Sequence, residues 1–438
     1  MKPSFHPPRS LAAPVACLGT LALLVGSASA QRAWPEPEPR TLGGGLGLVP
    51  GDGFGASVAP LGDFDGNGVP DLIVTAPGDP DGGAVWLLML GRTGRVLDAR
   101  KISDTQGGFT GDLAGCGCTF VAADRIGDVD GDGVTDLIVG SPQDFGGPPG
   151  SAWVLFLNAD GTVKGHVRIG QASGGFAGMP EEYFGLAVTG LGDLDGDGTP
   201  DVAVGGALGA WILFLEPSGN VRDQRLLQPG VNGFPVLSYP IFLFGLALDA
   251  LGDFDGDGTL DLVLTGEEWM FEGQIGHVFL VLLHADGTLK GVHDIASSDL
   301  GIWPVETCPI WYGDNFFGRA VAALGDVDGD GVVDLGVGAP YPGPDGCCTD
   351  AGGAWILKLR ANGTVRSRRE ITLDSPPYHL TMHPLDAFGA ALASPGDLDG
   401  DGRLELAVGA PRSHGLPDCD YGFVDSPRGS VRVLFRLP

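Results

Sequence analysis

"DVDGDG" occupies residues 128–133, and near copies begin at Asp63, Asp193, Asp253, Asp326 and Asp397. One Asp-Gly string reads as a tight turn. Six of them, 65, 65, 60, 73 and 71 residues apart, read as a repeat. Other features keep the same step. Nine residues before five of the turns stands Phe-Gly: Phe54-Gly55, Phe184-Gly185, Phe244-Gly245, Phe317-Gly318 and Phe388-Gly389. The second copy has Thr119-Phe120 there. Behind each turn comes a short apolar run, such as "DLIVGSP" (136–142) or "ELAVGAP" (405–411), then another, such as "GSAWVLFL" (150–157). In most copies a turn such as "NADGT" (158–162) and a further run complete the unit.

The runs are short, rich in Val, Ile, Leu and aromatic residues, and bounded by Gly, Pro, Asn and Asp. They predict strands. Many are apolar on both faces, which suits sheets covered on both sides. Each unit is therefore four antiparallel strands, A to D. One such sheet cannot bury both faces alone, but a ring of them can. The expectation is an all-β, six-bladed β-propeller. The last copy ends after its third strand, "SVRVLFRLP" (430–438), while "PEPRTL" (37–42) lies where a fourth strand would precede the first Phe-Gly. The N-terminal segment is expected to close the ring by pairing into the last blade. Seven blades, one of them degenerate, is the alternative, although no stretch is left over for it.

Composition narrows the partners. The formal charge of −30 over 438 residues argues against nucleic acid and against an anionic membrane surface, and it favours cations. Lys2, Arg9, the apolar stretch 11–25 and "ASA" at 28–30 read as a signal peptide over residues 1–30. Residues 31–438 are then a single propeller domain, secreted or held at the cell surface or in the periplasm, with no membrane insertion after cleavage. Six cysteines remain: Cys116, Cys118, Cys308, Cys347, Cys348 and Cys419. An even count in an exported chain suits disulfides, with the connectivity open.

The turn itself reads Asp-x-Asp-Gly-Asp-Gly-x-x-Asp. The carboxylates at positions 1, 3, 5 and 9 are Asp128, Asp130, Asp132 and Asp136 in the second copy, Asp193, Asp195, Asp197 and Asp201 in the third, and Asp253, Asp255, Asp257 and Asp261 in the fourth. The fifth has Asp326, Asp328, Asp330 and Asp334. The first carries Asn67 at position 5 with Asp63, Asp65 and Asp71, and the last carries Glu405 at position 9 with Asp397, Asp399 and Asp401. Alternate side chains of a tight loop converge on one point, and Gly at positions 4 and 6 lets the backbone curl. Hard oxygens in that number suit Ca2+, up to six ions in all. An EF-hand is excluded, because position 12 is Val or Leu inside the next strand in every copy.

Phe-Gly, the acidic loop and "GAP" at 338–340 and 409–411 together resemble the FG-GAP repeat of integrin α-subunit propellers and their bacterial relatives. The likeness runs over about residues 40–438. It implies a propeller with Ca2+ in the loop joining strands A and B. Two departures stand out. Integrin propellers have seven blades with calcium loops in only some, whereas six loaded copies are counted here. No leg domain, inserted adhesion domain or membrane span is legible, so integrin-type signalling is not carried over.

Strand parity puts all six acidic loops on one face and the B–C and D–A connections on the other. The six cysteines fall in those connections, as does the long insertion 298–317 with Trp303, Trp311 and Tyr312. That face is the expected ligand surface, for protein or carbohydrate. The alternative is that these aromatics cap blade ends. Trp86, Trp153, Trp211 and Trp355 recur in strand C and read as core. No catalytic constellation is visible. "HLTMH" (379–383) reads as a surface loop, and "NGT" (362–364) as a turn. The reading is a calcium-binding adhesion or binding module. The alternatives are a hydrolase or lyase acting at the central channel or the cysteine-bearing face, and a structural surface protein without small ligand.

Overall fold

A strand that is apolar on both faces needs cover on both, and the ring provides it. The computed structural model describes residues 40–437 except 112–121, 143–149, 179–182, 238, 240, 271–272, 303–315, 341–351, 373–374, 377, 379–385, 412–427 and 436. Blade 1 is Val58–Gly62, Asp71–Ala76, Ala84–Leu90 and Val96–Ser103 as strands A to D. Blade 2 is Ala123–Gly127, Asp136–Ser141, Ser151–Leu157 and Val163–Ile169. Blade 3 is Val188–Gly192, Asp201–Gly205, Ala210–Leu215 and Val221–Leu227. Blade 4 is Leu248–Gly252, Asp261–Met270, Gly273–Leu283 and Leu289–Ala296. Blade 5 is Ala320–Gly325, Asp334–Ala339, Gly353–Leu359 and Val365–Ile371. Blade 6 is Ala391–Gly396, Glu405–Ala410 and Ser430–Leu434, and its fourth strand is Arg40–Leu42.

The ring closes as the chain ends suggest. Arg40, Thr41 and Leu42 pair antiparallel with Val433, Arg432 and Val431. The A strands neighbour one another in succession, from blade 1 round to blade 6 and back to blade 1. Six blades complete the circle, so the seven-bladed alternative is not realised.

Alternation explains the core. In blade 1, Leu72 and Val74 pack with Ala407, Val431 and Val433 of blade 6, whereas Ile73 packs with Leu137 and Val139 of blade 2. Equivalent clusters fill the other four gaps. Full burial of each such side chain stabilises by about 1.5–3 kcal/mol, so the inter-blade layers dominate the energetics. Trp86 and Trp153 belong to this core at 8% exposure. Trp211 and Trp355, at the same register position of strand C, are only partly buried against it.

Phe-Gly has a definite job. The five rings, Phe54, Phe184, Phe244, Phe317 and Phe388, are 0–1% exposed. The glycine N–H bonds within its own blade, as Gly185 does to the Gly205 carbonyl at 2.9 Å. Its carbonyl presses on the preceding blade. A Cβ on Gly140, Gly205, Gly338 or Gly409 would stand 2.0–2.2 Å from the carbonyl oxygens of Gly185, Gly245, Gly389 and Gly55 respectively. Only glycine tolerates that approach.

Blade 4 departs from its sisters. Its B and C strands run to 10 and 11 residues, and a short strand, Ile241–Phe242, pairs with the far end of strand B. The longer hairpin buries His277, 2% exposed. Its Nδ1 lies 2.8 Å from Asp294, which ties strands C and D, and its Nε2 lies 3.5 Å from Glu268 of strand B without a hydrogen bond. Among the described residues no helix is long and apolar enough to cross a membrane.

Candidate metal centres

Each acidic loop leaves strand A and enters strand B, so all six lie on one face of the ring. Each braces itself through backbone N–H groups. Position 1 accepts from the glycine at position 6 in every copy, at 2.7–2.9 Å. Position 5 accepts from the N–H of position 7 at 2.7–3.0 Å. The loop glycines at positions 4 and 6 all have positive φ, such as 78° at Gly131 and 90° at Gly133.

Position 9 is the pin. Asp71, Asp136, Asp201, Asp261, Asp334 and Glu405 are 0–1% exposed. One carboxylate oxygen accepts the N–H of position 2, as from Val129 to Asp136 at 2.9 Å. In blades 1 to 5 the other oxygen accepts the N–H of the last residue of strand C: Leu90, Leu157, Leu215, Leu283 and Leu359. Burial pushes Asp71 and Asp136 up to about 6 and Asp201 up to about 7, against the pull of those bonds. Burial also raises Asp261 and Asp334. Neighbouring loop aspartates add to the rise in all five.

The ligand set fits a hard divalent cation. One oxygen from each of Asp63, Asp65 and Asp71 lies within 4.8 Å of the others, and the same holds for Asp128, Asp130 and Asp136. It holds also for Asp253, Asp255 and Asp261, for Asp326, Asp328 and Asp334, and for Asp193, Asp195 and Asp197. These are carboxylates without sulfur or imidazole, the donor class that Ca2+ takes. A bound ion would lower the pKa of the position-9 carboxylate that burial raises.

One element was not read from the sequence. A basic residue, always the second of strand D, lies over four of the loops. Lys164 pairs with Asp130 at 2.8 Å and with Asp132. Arg222 meets Asp195 and Asp197 at 2.6 and 2.9 Å, and Lys290 meets Asp255 and Asp257 at 2.6 and 2.5 Å. Arg366 pairs with Asp328 and, at 2.7 Å, with Asp330. The signal was present in "GTVK" (161–164), "GNVR" (219–222), "GTLK" (287–290) and "GTVR" (363–366). It falls on the edge strand, where lysine and arginine are common for other reasons.

A second carboxylate pair lies on the inner strands of the ring. Asp124 accepts from Thr189 Oγ1 at 2.9 Å and from the Gly190 N–H at 3.0 Å. Asp249 accepts from the Ala323 N–H at 2.7 Å. Each therefore stitches its blade to the next. Burial pushes Asp124 up to about 6; burial, then the charge of Asp124, pushes Asp249 up to about 7. Both stand four residues before the acidic turn, where the other copies have Ala59, Thr189, Ala322 and Ala393, so the position recurs but the carboxylate does not.

The expected ligand-face residues Trp303, Trp311 and Tyr312 lie outside the described residues. So do Cys116, Cys118, Cys308, Cys347, Cys348 and Cys419, the pair His379 and His383, Thr119-Phe120, and the signal segment 1–30. The turn at Asn362 is described, and its Oδ1 accepts from the Thr364 N–H at 3.2 Å.

Comparison with known proteins agrees with this geometry. Residues 54–88 and 388–434 match the FG-GAP repeat, and residues 128–204 match the FG-GAP-like repeat. Integrin alpha-IIb of Homo sapiens is 32% identical over 235 residues, covering 52% of this chain and 20% of its own length. Integrin alpha-PS2 of Drosophila melanogaster is 30% identical over 245 residues, covering 52% and 15%. Integrin alpha-V of Gallus gallus is 28% identical over 327 residues, covering 68% and 28%. The chain thus spans between 15% and 28% of the length of these relatives. The chain carries FG-GAP repeats over these residues and resembles the N-terminal β-propeller of integrin α-subunits.

Proposed function

We propose that this propeller is an exported binding or adhesion module for a protein ligand, held rigid by calcium in its A–B loops. The observation that carries the reading is the set of self-braced acidic loops on one face of an FG-GAP ring. Asp63, Asp65, Asn67 and Asp71, with their counterparts round the ring to Glu405, would hold the ions. Bound calcium supplies charge neutralisation, and the chain's own contribution is the pinned corner between strands A and B. The ligand would then meet the opposite face, to which the sequence reading assigns Trp303, Trp311 and Tyr312; carbohydrate is the second ligand class such a surface would suit. Disulfides among the six cysteines would stiffen the same face, and cleavage after residue 30 would release residues 31–438 as one domain.

Each calcium site occupied at a hundredfold excess over its Kd adds about 2.7 kcal/mol. Chelation by EDTA is therefore expected to lower the melting temperature by about 10 °C or more. An identical melting curve in calcium and EDTA would sink the calcium claim. A partner screen against extracellular proteins and glycans, with Trp303→Ala and Trp311→Ala as controls, tests the ligand face; binding that survives both substitutions moves the site elsewhere. A propeller enzyme is the second reading. The raised pair Asp124 and Asp249 on the inner strands favours it, because carboxylates near 6 and 7 suit proton transfer.

A further inference from the structure

Loop 1 differs from loops 2 to 5 in two places at once. Position 5 is Asn67 where the others have aspartate, and the second residue of its strand D is Leu97 where the others have Lys164, Arg222, Lys290 and Arg366. Leu97 is 61% exposed, so no packing demand explains it. The two differences cancel in charge. Among the described residues no cation pairs with the three carboxylates of loop 1, whereas four carboxylates face one paired cation in each of loops 2 to 4. Loop 5 pairs its strand-D cation, Arg366, in the same way but carries a second, Lys358, 3.9 Å from Asp328, so its count is one charge less negative. They cancel in hydrogen bonding too. Asn67 Nδ2 donates to Asp65 Oδ2 at 3.0 Å. That is the oxygen of position 3 which Lys164 Nζ meets in loop 2, at 2.8 Å from Asp130 Oδ2. The amide in one loop and the ammonium in the other hold the same ligand oxygen.

We propose that position 5 and the second residue of strand D form one coupled unit that sets the charge of each empty ligand shell, and thereby its calcium affinity. Either an aspartate with a lysine or arginine, or an asparagine with an apolar residue, completes it. Ligand charge count is a main determinant of affinity in oxygen-donor sites. Adding the aspartate or removing the cation leaves one uncompensated negative charge, which favours the ion and disfavours the empty loop; adding a cation alone does the reverse. Loop 6 stands outside the comparison, since its fourth strand is described only from Arg40. The affinity part of the proposal rests on the calcium reading above; the compensation in the metal-free chain does not.

The experiment is a double-mutant cycle on the full chain, with Asn67→Asp, Leu97→Lys and both together, plus Lys164→Met in blade 2. Melting in EDTA and calcium titration by calorimetry are the two readouts. Asn67→Asp and Lys164→Met are each expected to lower the melting temperature in EDTA and to tighten one calcium site about tenfold. Leu97→Lys alone is expected to weaken one site. Leu97 is an exposed edge residue, so that variant is expected to fold. The double variant is expected to return both readouts to those of the unmodified chain. A double variant that melts in EDTA no higher than Asn67→Asp alone, so that Leu97→Lys gives no rescue, overturns the proposal. A chain that takes up no calcium at all overturns the calcium reading, and with it the affinity half, while the EDTA cycle still decides the coupling.

Discussion

At the scale of the residue, the loop aspartates do different work, although the motif writes them alike. Asp136 is fully buried, and its two oxygens accept the Val129 and Leu157 N–H groups, both at 2.9 Å. Asp128, on the rim, braces the loop itself, accepting from Gly131, Asp132 and Gly133. A buried donor stripped of its partner costs about 1–3 kcal/mol. Asp136→Ala strips two and is expected to destabilise the chain by about 3 kcal/mol, read by chemical denaturation. The decisive condition is EDTA, because these bonds need no ion. A loss confined to calcium-containing buffer would make Asp136 a ligand and nothing more. Spacing identified this carboxylate as a ligand candidate. It could not reveal the pin, since the partner N–H groups come from 7 residues before and 21 residues after it.

At the scale of the element, Phe-Gly and the glycine of "GAP" are two halves of one inter-blade contact. The sequence shows both at fixed offsets within a unit, yet they meet between units, so the motif was legible and its purpose was not. Gly409 in strand B of blade 6 faces the Gly55 carbonyl of blade 1, and a Cβ there would stand 2.1 Å from that oxygen. Gly409→Ala forces the closing gap apart and is expected to cost about 1–3 kcal/mol, as overpacking does. Gly336→Ala is the control, because its Cβ would meet only side chains, at 3.3 Å or more. Equal losses from the two substitutions, measured by thermal melting, would count against the contact. Strands, turns, order and ring closure were all legible because period-2 patterning and turn residues are local signals. The extended hairpin of blade 4 was hidden. Its "GEEWMFEGQIG" (266–276) breaks the repeat without a turn signature, and its own cross-strand pairing out to Met270–Gly273, with Ile241–Phe242 added at the edge, defines it.

At the scale of the whole molecule, the ring concentrates charge at its inner strands as well as at its rim. Asp124 and Asp249 come from blades 2 and 4, and each holds the neighbouring blade by hydrogen bonds. Their folded pKa values, about 6 and about 7, lie above the ordinary 3.8 of an unfolded aspartate. Between these limits the folded chain binds more protons than the unfolded one, so stability falls as pH rises. The contribution is largest near pH 4, and its loss is complete once pH has passed 7. The position-9 carboxylates whose shift is resolved, Asp71, Asp136, Asp201, Asp261 and Asp334, share this direction, and bound calcium, on the reading proposed above, would hold them ionised and remove them from the comparison. In saturating calcium the melting temperature is therefore expected to decline from pH 5 to pH 8 beyond what a chain without the inner pair shows. Asp124→Asn with Asp249→Asn is expected to flatten that decline, and to raise the melting temperature at pH 8 relative to the unmodified chain. A decline of undiminished slope in the double variant would place the titrating groups elsewhere in the ring.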